Sequence, residues 1–379
     1  MTTKDNMDSL SKPSPIRVLH VLGNLNRGGA ESYLMNIYRK IDRSKVQFDF
    51  IIHTNEKCDF SDEIVELGGK IYSVPRFSVK SSIRYIKEWS KFFRNNSEYK
   101  IIHSHIRSTA AIILLIAKKY GLVTISHSHS ISSGSGFVSV IKNGLQYFIR
   151  YIADYRIACS QNAGKWLFGN KPFNIMKNAI DVNNFYYDRE IREETRKSLG
   201  LDNDIVIGHV GSFTFPKNHI FLLDIFNEIA NQNASVKLLL VGDGPLKDDI
   251  IHHAKKLKII NKIIFTGVRS DIPDLLNAID LIVFPSRYEG FPVTMIEAQA
   301  TGVSCLISKA ITDEVQITDL VHYMSLENSP KEWANKSIEL IKPCNRYSYS
   351  NEIIKAGYDS IYQSDVLTQF YLKIQGEFK

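Results

Sequence analysis

The sequence predicts an α/β fold of two doubly wound, Rossmann-like domains facing a cleft, and three observations lead there. Short β-branched-rich runs recur, each closing on small or polar residues and each followed by a helix-length segment. The runs are continuously apolar rather than alternating, as strands of a parallel sheet covered on both faces must be. They also fall into two sets of about six, interrupted between residues 178 and 203 by a polar, turn-rich stretch that reads as a linker plus a surface helix.

The first set is "IRVLHVLG", "QFDFIIH", "KIYSV", "KIIHSH", "LVTISHSHS" and "YRIACS". The second is "DIVIGHVGSF", "VKLLLVGDG", "KIIFTG", "LIVFPS", "VSCLIS" and "VHYM". One domain is expected over 16–178 and another over 179–364. Residues 1–15 are polar and rich in Pro and Ser, with no apolar core of a signal peptide, and read as a disordered tail. The apolar run "AAIILLIA", 110–117, is far short of the roughly 20 residues that span a bilayer and reads as a buried helix.

The 379 residues are 44% hydrophobic and 23% charged, ordinary globular material with room for two cores. The four cysteines are scattered, form no CxxC pair and sit mostly in apolar runs, which fits a reducing cytoplasm. Residues 1–180 hold 26 Lys/Arg against 13 Asp/Glu, while the remainder holds 21 against 27. The basicity therefore belongs to the first half. Without a basic groove interleaved with aromatics it argues against nucleic acid, and for an anionic membrane surface or a phosphorylated ligand.

Ligands of open α/β sheets bind beyond the carboxyl ends of strands, so the residues just after each strand carry the chemistry. "GNLNRGGAES" places Gly28 and Gly29 at a helix start, where free N–H groups favour phosphate; a tight turn with no ligand is the plain alternative. "VGDGP" puts Gly242 and Gly244 after a strand without the third glycine of a dinucleotide fingerprint. Lys217 precedes a helix, where a point cation meets a diphosphate or simply faces solvent. In "SRYEGFPVTMIEAQATG", Glu297 either closes a capping box with Thr294 or accepts hydrogen bonds from vicinal hydroxyls. Glu289, in the loop before Gly290, has no such local explanation.

Metal signals are thin. Asp202-Asn203-Asp204 imitates a metal-binding Asp-x-Asp but lies in an expected turn. His103 and His105 share a strand face, with no acidic residue or third histidine nearby in sequence, so packing or acceptor contact is expected.

Taken together, "EGFPVTMIEA", "GGAES", "VGDGP", "FTGVRSDIPDLLNAIDLIVFPS" and "KNAIDVNNF" resemble the retaining glycosyltransferase family 4, with its two-domain GT-B fold. The resemblance spans the chain after residue 15 and is closest to the branch that builds bacterial capsular, exopolysaccharide or O-antigen units. It implies an N-terminal acceptor-binding domain, a C-terminal domain for a nucleotide-sugar, most simply a UDP-sugar, and a metal-independent transfer with no cofactor. By the same resemblance, Glu297 holds the ribose and Glu289 lies beside the transferred sugar. The backbone at Gly290, Phe291 and Pro292 meets sugar and phosphates, as do Gly28 and Gly29 from the other domain. Lys217 neutralises the diphosphate, the strand-end segment with Ser212 and Gly244 borders the donor, and Val268 pairs with the base. His129 contacts the donor sugar across the cleft, with His127 or His105 as alternates or acceptor contacts. One departure stands out: the family's arginine after the glycine of "GSF" is Ser212 here, so another cation, such as Arg287, must substitute or activity falls.

On the acceptor side, "KSSIRYIKEWSKFFR" has helical period. Lys80, Arg84, Lys87, Lys91 and Arg94 take one face and Tyr85, Ile86, Trp89, Phe92 and Phe93 the other. Together with the resemblance, this suggests a peripheral enzyme on the cytoplasmic face of the inner membrane, meeting a lipid-linked glycan. The C-terminal helix, from residue 365, is expected to cross back onto the first domain. The rival functions are a sugar-nucleotide epimerase of the same architecture and a non-catalytic nucleotide-sugar-binding subunit.

Overall fold

The computed structural model describes residues 14–131, 137–201, 203–341 and 346–377. The expected tail thus lies largely outside the described residues, as do Asp202 and Cys344. Cys58, Cys159 and Cys305 are free and buried.

The first sheet comprises β1 (Ile16–Val21), β2 (Val46–Ile52), β3 (Ile71–Ser73), β4 (Ile101–Ser104), β5 (Val123–Ser128), β6 (Tyr155–Ala158) and β7 (Asn174–Ile175). Its spatial order is β3-β2-β1-β4-β5-β6-β7, every pairing parallel. The second comprises β8 (Ile205–Val210), β9 (Val236–Val241), β10 (Ile263–Gly267), β11 (Leu281–Phe284), β12 (Ser304–Ser308) and β13 (Val321–Met324), in the parallel order β10-β9-β8-β11-β12-β13. The two doubly wound sheets bear out the expected fold class. Only β7 escaped the sequence pattern, because two residues carry no periodicity.

Burial explains why the strands read as continuous apolar runs. All seven residues of β2 are buried, as are all four of β11, since helices cover both faces. Between the sheets the chain makes a short 3-10 turn, Val182–Asn184, and a helix, Arg189–Ser198. Arg192 and Arg196 of that helix both pair with Asp280, at 2.5 and 3.2 Å, which ties it to the second sheet just before β11.

The C-terminal helix, Ser360–Gly376, begins five residues earlier than the sequence indicated, where the Asp359 carboxylate accepts from the N–H groups of Ile361 and Tyr362. It packs on the first helix, Gly29–Lys40, and on β1, burying Leu367, Tyr371 and Ile374 in the core of the first sheet. The basic helix, Ser82–Asn95, buries Tyr85, Trp89 and Phe93 and exposes Arg84, Lys87, Lys91 and Arg94, while Lys80, expected on it, is exposed in the 3-10 turn Val79–Ser81 just before it. Ile86 corrects the expected division of faces: it is 43% exposed, because the buried stripe is narrower than the apolar one.

Candidate active site

Open parallel sheets bind ligands where the strand order reverses, outside the carboxyl ends of the two strands that flank the reversal. That point falls between β1 and β4 in one sheet and between β8 and β11 in the other. Lys217 follows β8 and Glu289 follows β11, so the two sides of the second reversal meet. Lys217 Nζ stands 2.8 Å from Glu289 Oε1, with both side chains mostly buried. The contact is an ion pair rather than a well-aligned hydrogen bond, since Oε1 has no hydrogen-bond partner among the described residues. The ammonium also lies 4.6 Å from the centre of the Phe284 ring.

Asn218 sets this reach. It adopts the left-handed conformation (φ 58°, ψ 42°) between the 3-10 turn Phe215–Lys217 and the helix His219–Gln232, and its Nδ2 donates to the Pro285 carbonyl at 3.1 Å. Asn enters that region more easily than most residues. Sequence reasoning missed it, because an asparagine in a turn is commonplace.

Gly290 is where the second domain touches the first. A Cβ there would overlap the His129 carbonyl oxygen and come within 2.8 Å of Ser130 Cα. The Ser160 hydroxyl donates to the Gly290 carbonyl at 3.0 Å, and the Gln161 N–H donates to Glu314 Oε1 at 2.9 Å. His129, Lys217, Glu289 and Gly290 are thereby gathered at one place. The Phe291 side chain is buried and stacked on Tyr358, with ring centres 5.4 Å apart.

Pro292 caps the helix Val293–Ala300. This overturns the capping-box alternative for Glu297: Thr294 lies inside the helix, no side chain caps its start, and Glu297 is its fifth residue. With Pro292 extended as the cap, the helix starts two residues before the point a Thr294-x-x-Glu297 box requires. Ser329 and Glu332 form a genuine capping box elsewhere. Glu297 is left partly buried, and desolvation pushes its carboxyl up to about 7.

The remaining candidates are dispersed. Ser212 is exposed, its Oγ 3.3 Å from Thr214 Oγ1. Arg287 is exposed beside the Lys217 turn, its guanidinium 4.8 Å from the Phe215 ring and its N–H donating to the Pro216 carbonyl at 2.7 Å. Val268 is exposed just beyond β10. Gly244 has a packing reason of its own, since a Cβ would lie 2.6 Å from the Phe213 carbonyl oxygen. Gly28 caps the first helix, and a Cβ on it would run into Oε2 of Glu31, while Gly29 has open space. The Glu31 carboxylate thus occupies ground that the phosphate reading of this helix start needs. Burial raises its pKa, and the motif "GGAES" held it in plain view.

The fold also supplies what His103 and His105 lacked in sequence. The β1–β4 register sets His20 beside His103. His20 Nδ1 lies 3.0 Å from His105 Nε2, and His105 Nδ1 lies 2.9 Å from His129 Nε2. His127 is buried, its ring centre 4.0 Å from that of His129. Burial drives all five imidazoles below their ordinary range, His129 to about 3 despite the opposing Asn178 side chain. His105 also borders a cavity of about 740 Å³ in the first domain, lined among others by Asn26, Glu31, His53, Arg76 and Arg107.

Residues 27–184 match the model of glycosyltransferase family 4, and residues 191–359 that of glycosyl transferases group 1. EpsF of Bacillus subtilis, which carries a glycosyltransferase name, is 36% identical over 329 residues, covering 84% of this chain and 86% of its own. This chain belongs to glycosyltransferase family 4. The capsular polysaccharide biosynthesis glycosyltransferase CapH of Staphylococcus aureus is 24% identical over 350 residues, 89% of this chain and 94% of its own. The crystal structure of Anabaena HepE in complex with UDP-glucose superposes with a TM-score of 0.78 at 20% identity, covering 94% of this chain and all of that one, which shows the GT-B fold. The transferase is accordingly an enzyme of polysaccharide biosynthesis, and neither the epimerase nor the binding-subunit reading is favoured.

Two outcomes follow from the geometry of this transferase. Burial keeps a proton on Glu297 in the folded chain between about pH 4.5 and 7 while the unfolded chain has lost it, so this group's contribution to stability falls as pH rises through that window. Glu297→Gln is therefore expected to melt at a higher temperature than wild type at pH 8, by about 3 kcal/mol of stability, and to match it at pH 4 in thermal melts at both pH values. Gly290→Ala, which forces the domains apart at the His129 carbonyl, is expected to cut kcat/KM at least ~10-fold while leaving each domain folded by circular dichroism.

Proposed function

We propose that the transferase moves a sugar, with retention of anomeric configuration, from a UDP-sugar to a lipid-linked acceptor at a membrane surface, with no metal at the diphosphate. The observation that carries this reading is the meeting of Lys217 and Glu289 at the reversal point of one sheet with His129 of the other, across the Gly290 contact. The diphosphate takes the charge of Lys217, and Glu289 is released to a hydroxyl of the transferred sugar. Glu297 accepts from the ribose hydroxyls, which draws its carboxyl back to the ionised form. The Gly290–Pro292 backbone lies along sugar and phosphates, and Val268 borders the base.

In the transfer itself the anomeric C–O bond to the diphosphate breaks, and UDP keeps the electron pair. The acceptor oxygen bonds to the same face of the anomeric carbon, and its proton passes to a diphosphate oxygen. The protein contributes position and charge rather than a strong base. This suits a site whose imidazoles are held neutral and where Lys217 is a mostly buried cation at the second reversal. The structure of HepE, a complex with UDP-glucose, supports the choice of uridine.

The acceptor side rests on the helical layer over the first sheet. Helices Ser82–Asn95, Ala110–Lys119 and Phe137–Ile152 pack side by side. They expose Ile83, Ile86, Leu115, Tyr147, Phe148 and Tyr151, together with Arg84, Lys87 and Lys91 and with Lys80 in the turn just before the first of them. Aromatic and apolar side chains interleaved with cations suit the headgroup region of an anionic leaflet, at about 1 kcal/mol per basic residue. No helix among the described residues is long and apolar enough to cross a membrane.

Thermal-shift measurements with UDP, GDP, ADP and CMP test the donor. UDP alone is expected to raise the melting temperature of the wild type, and the rise is expected to vanish in Glu297→Ala; a larger rise with another nucleotide would reassign the base. For the membrane, the transferase is expected to sediment with phosphatidylglycerol vesicles at low salt and to release when Lys80, Arg84, Lys87 and Lys91 are all changed to Ser. Retention by that variant would remove the basic helix from the docking surface.

A further inference from the structure

The five imidazoles beneath the cleft ask for more than the transfer reaction uses. Each neutral imidazole offers one donor and one acceptor, and a buried one is expected to satisfy both. Here His20 Nε2, His103 Nε2 and both nitrogens of His127 are buried with no partner among the described residues. His20, His103 and His105 are themselves fully enclosed, at 0%, 1% and 8% exposure. One ring nitrogen from each of these three lies within 4.8 Å of the other two.

We propose that His20, His103 and His105 form a structural site for a first-row divalent cation, with zinc the ion their chemistry fits. Three neutral nitrogen donors without carboxylate or thiolate suit Zn²⁺, Ni²⁺ or Cu²⁺ and reject Mg²⁺ and Ca²⁺, which want oxygen. The outer nitrogens of His103 and His105 are held as those of metal-bound histidines usually are. His103 Nδ1 meets the Tyr371 hydroxyl at 2.6 Å and His105 Nδ1 meets His129 Nε2 at 2.9 Å, which leaves both Nε2 atoms facing inward. His20 Nδ1 already stands 3.0 Å from His105 Nε2.

Binding requires the proton between those two atoms to move to an outer nitrogen of its own ring, a tautomer change that leaves both imidazoles neutral. It also requires the rings to turn. They are now stacked at 4.5 to 5.3 Å with tilts of 20° to 32°, whereas tetrahedral Zn–N bonds set ligand nitrogens about 3.3 Å apart. Three protein ligands leave the fourth position to a water. The centre joins β1 to β4 at the reversal point of the first sheet and, through Tyr371, fastens the C-terminal helix to it. It lies in the sheet opposite the one carrying Lys217 and Glu289 and adjoins the transfer site through the His105–His129 contact.

The test uses the full chain, free of any affinity tag, stripped with a chelator and then titrated with Zn²⁺ and with Co²⁺. About one Zn²⁺ per chain by mass spectrometry, a visible absorption band of four-coordinate Co²⁺, and a melting temperature that rises with metal are expected. His103→Asn is expected to abolish all three. Tyr371→Phe, which keeps the packing and loses only the outer hydrogen bond, is expected to weaken metal affinity about 10- to 100-fold and remains informative if His103→Asn fails to fold. The double change of His252 and His253 to Asn, on a helix of the other domain, is expected to leave binding intact. Less than about a tenth of an equivalent of metal with no cobalt band would overturn the proposal. So would a loss in the His252/His253 variant equal to that in His103→Asn, which would mark the binding as adventitious.

Discussion

The approach of Gly290 to the His129 carbonyl is the constraint on which the site depends. No side chain fits between the two loops, and the Ser160 hydroxyl holds the same glycine from the other side at 3.0 Å. The two sheets are thereby set with their reversal points facing. A larger residue at 290 would leave every functional side chain in place within its own domain and still dismantle the site, because catalysis by positioning tolerates little displacement.

Within the second domain, the reach of Lys217 to Glu289 has a local cause. β8 is followed by Gly211, where a Cβ would lie 3.1 Å from the lysine's own Cε, and the chain then reverses through the left-handed Asn218 into the next helix. The amide of Asn218 on the Pro285 carbonyl bridges the ends of β8 and β11. Backbone conformation, side-chain packing and a buried ion pair therefore agree on one geometry. Such agreement across levels marks a site held rigidly before its ligand arrives.

Desolvation is the second theme. Desolvation pushes the Glu297 carboxyl up to about 7, and burial keeps five imidazoles neutral. Folding to this arrangement costs stability that ligand hydroxyls, and at the histidines a cation, would return. Perturbed, partly satisfied groups gathered at strand ends are what a binding cleft looks like before it is filled.

The parallel sheets, the division near residue 180 and the strand-end loops were legible because they rest on periodicity and turn chemistry, which are local properties of the chain. Glu289 stood out for the same reason: a carboxylate before Gly-Phe-Pro has no structural task of its own. Ordered motifs added the family. Other features are decided by contacts between residues far apart in sequence, and local pattern carries no trace of them. Glu297 and Thr294 match a capping box letter for letter, yet Pro292 starts the helix earlier and leaves the carboxyl partly buried without a cap. His103 and His105 look isolated until β1 and β5 bring His20, His127 and His129 beside them. Tyr371, 268 residues from His103, reaches it only because the C-terminal helix crosses back over the first sheet. The chain by itself thus determined its fold class, its family and which loops face the cleft. The tertiary structure alone decided which of those residues meet and how far water is kept from them, since proximity and desolvation arise only when distant segments pack.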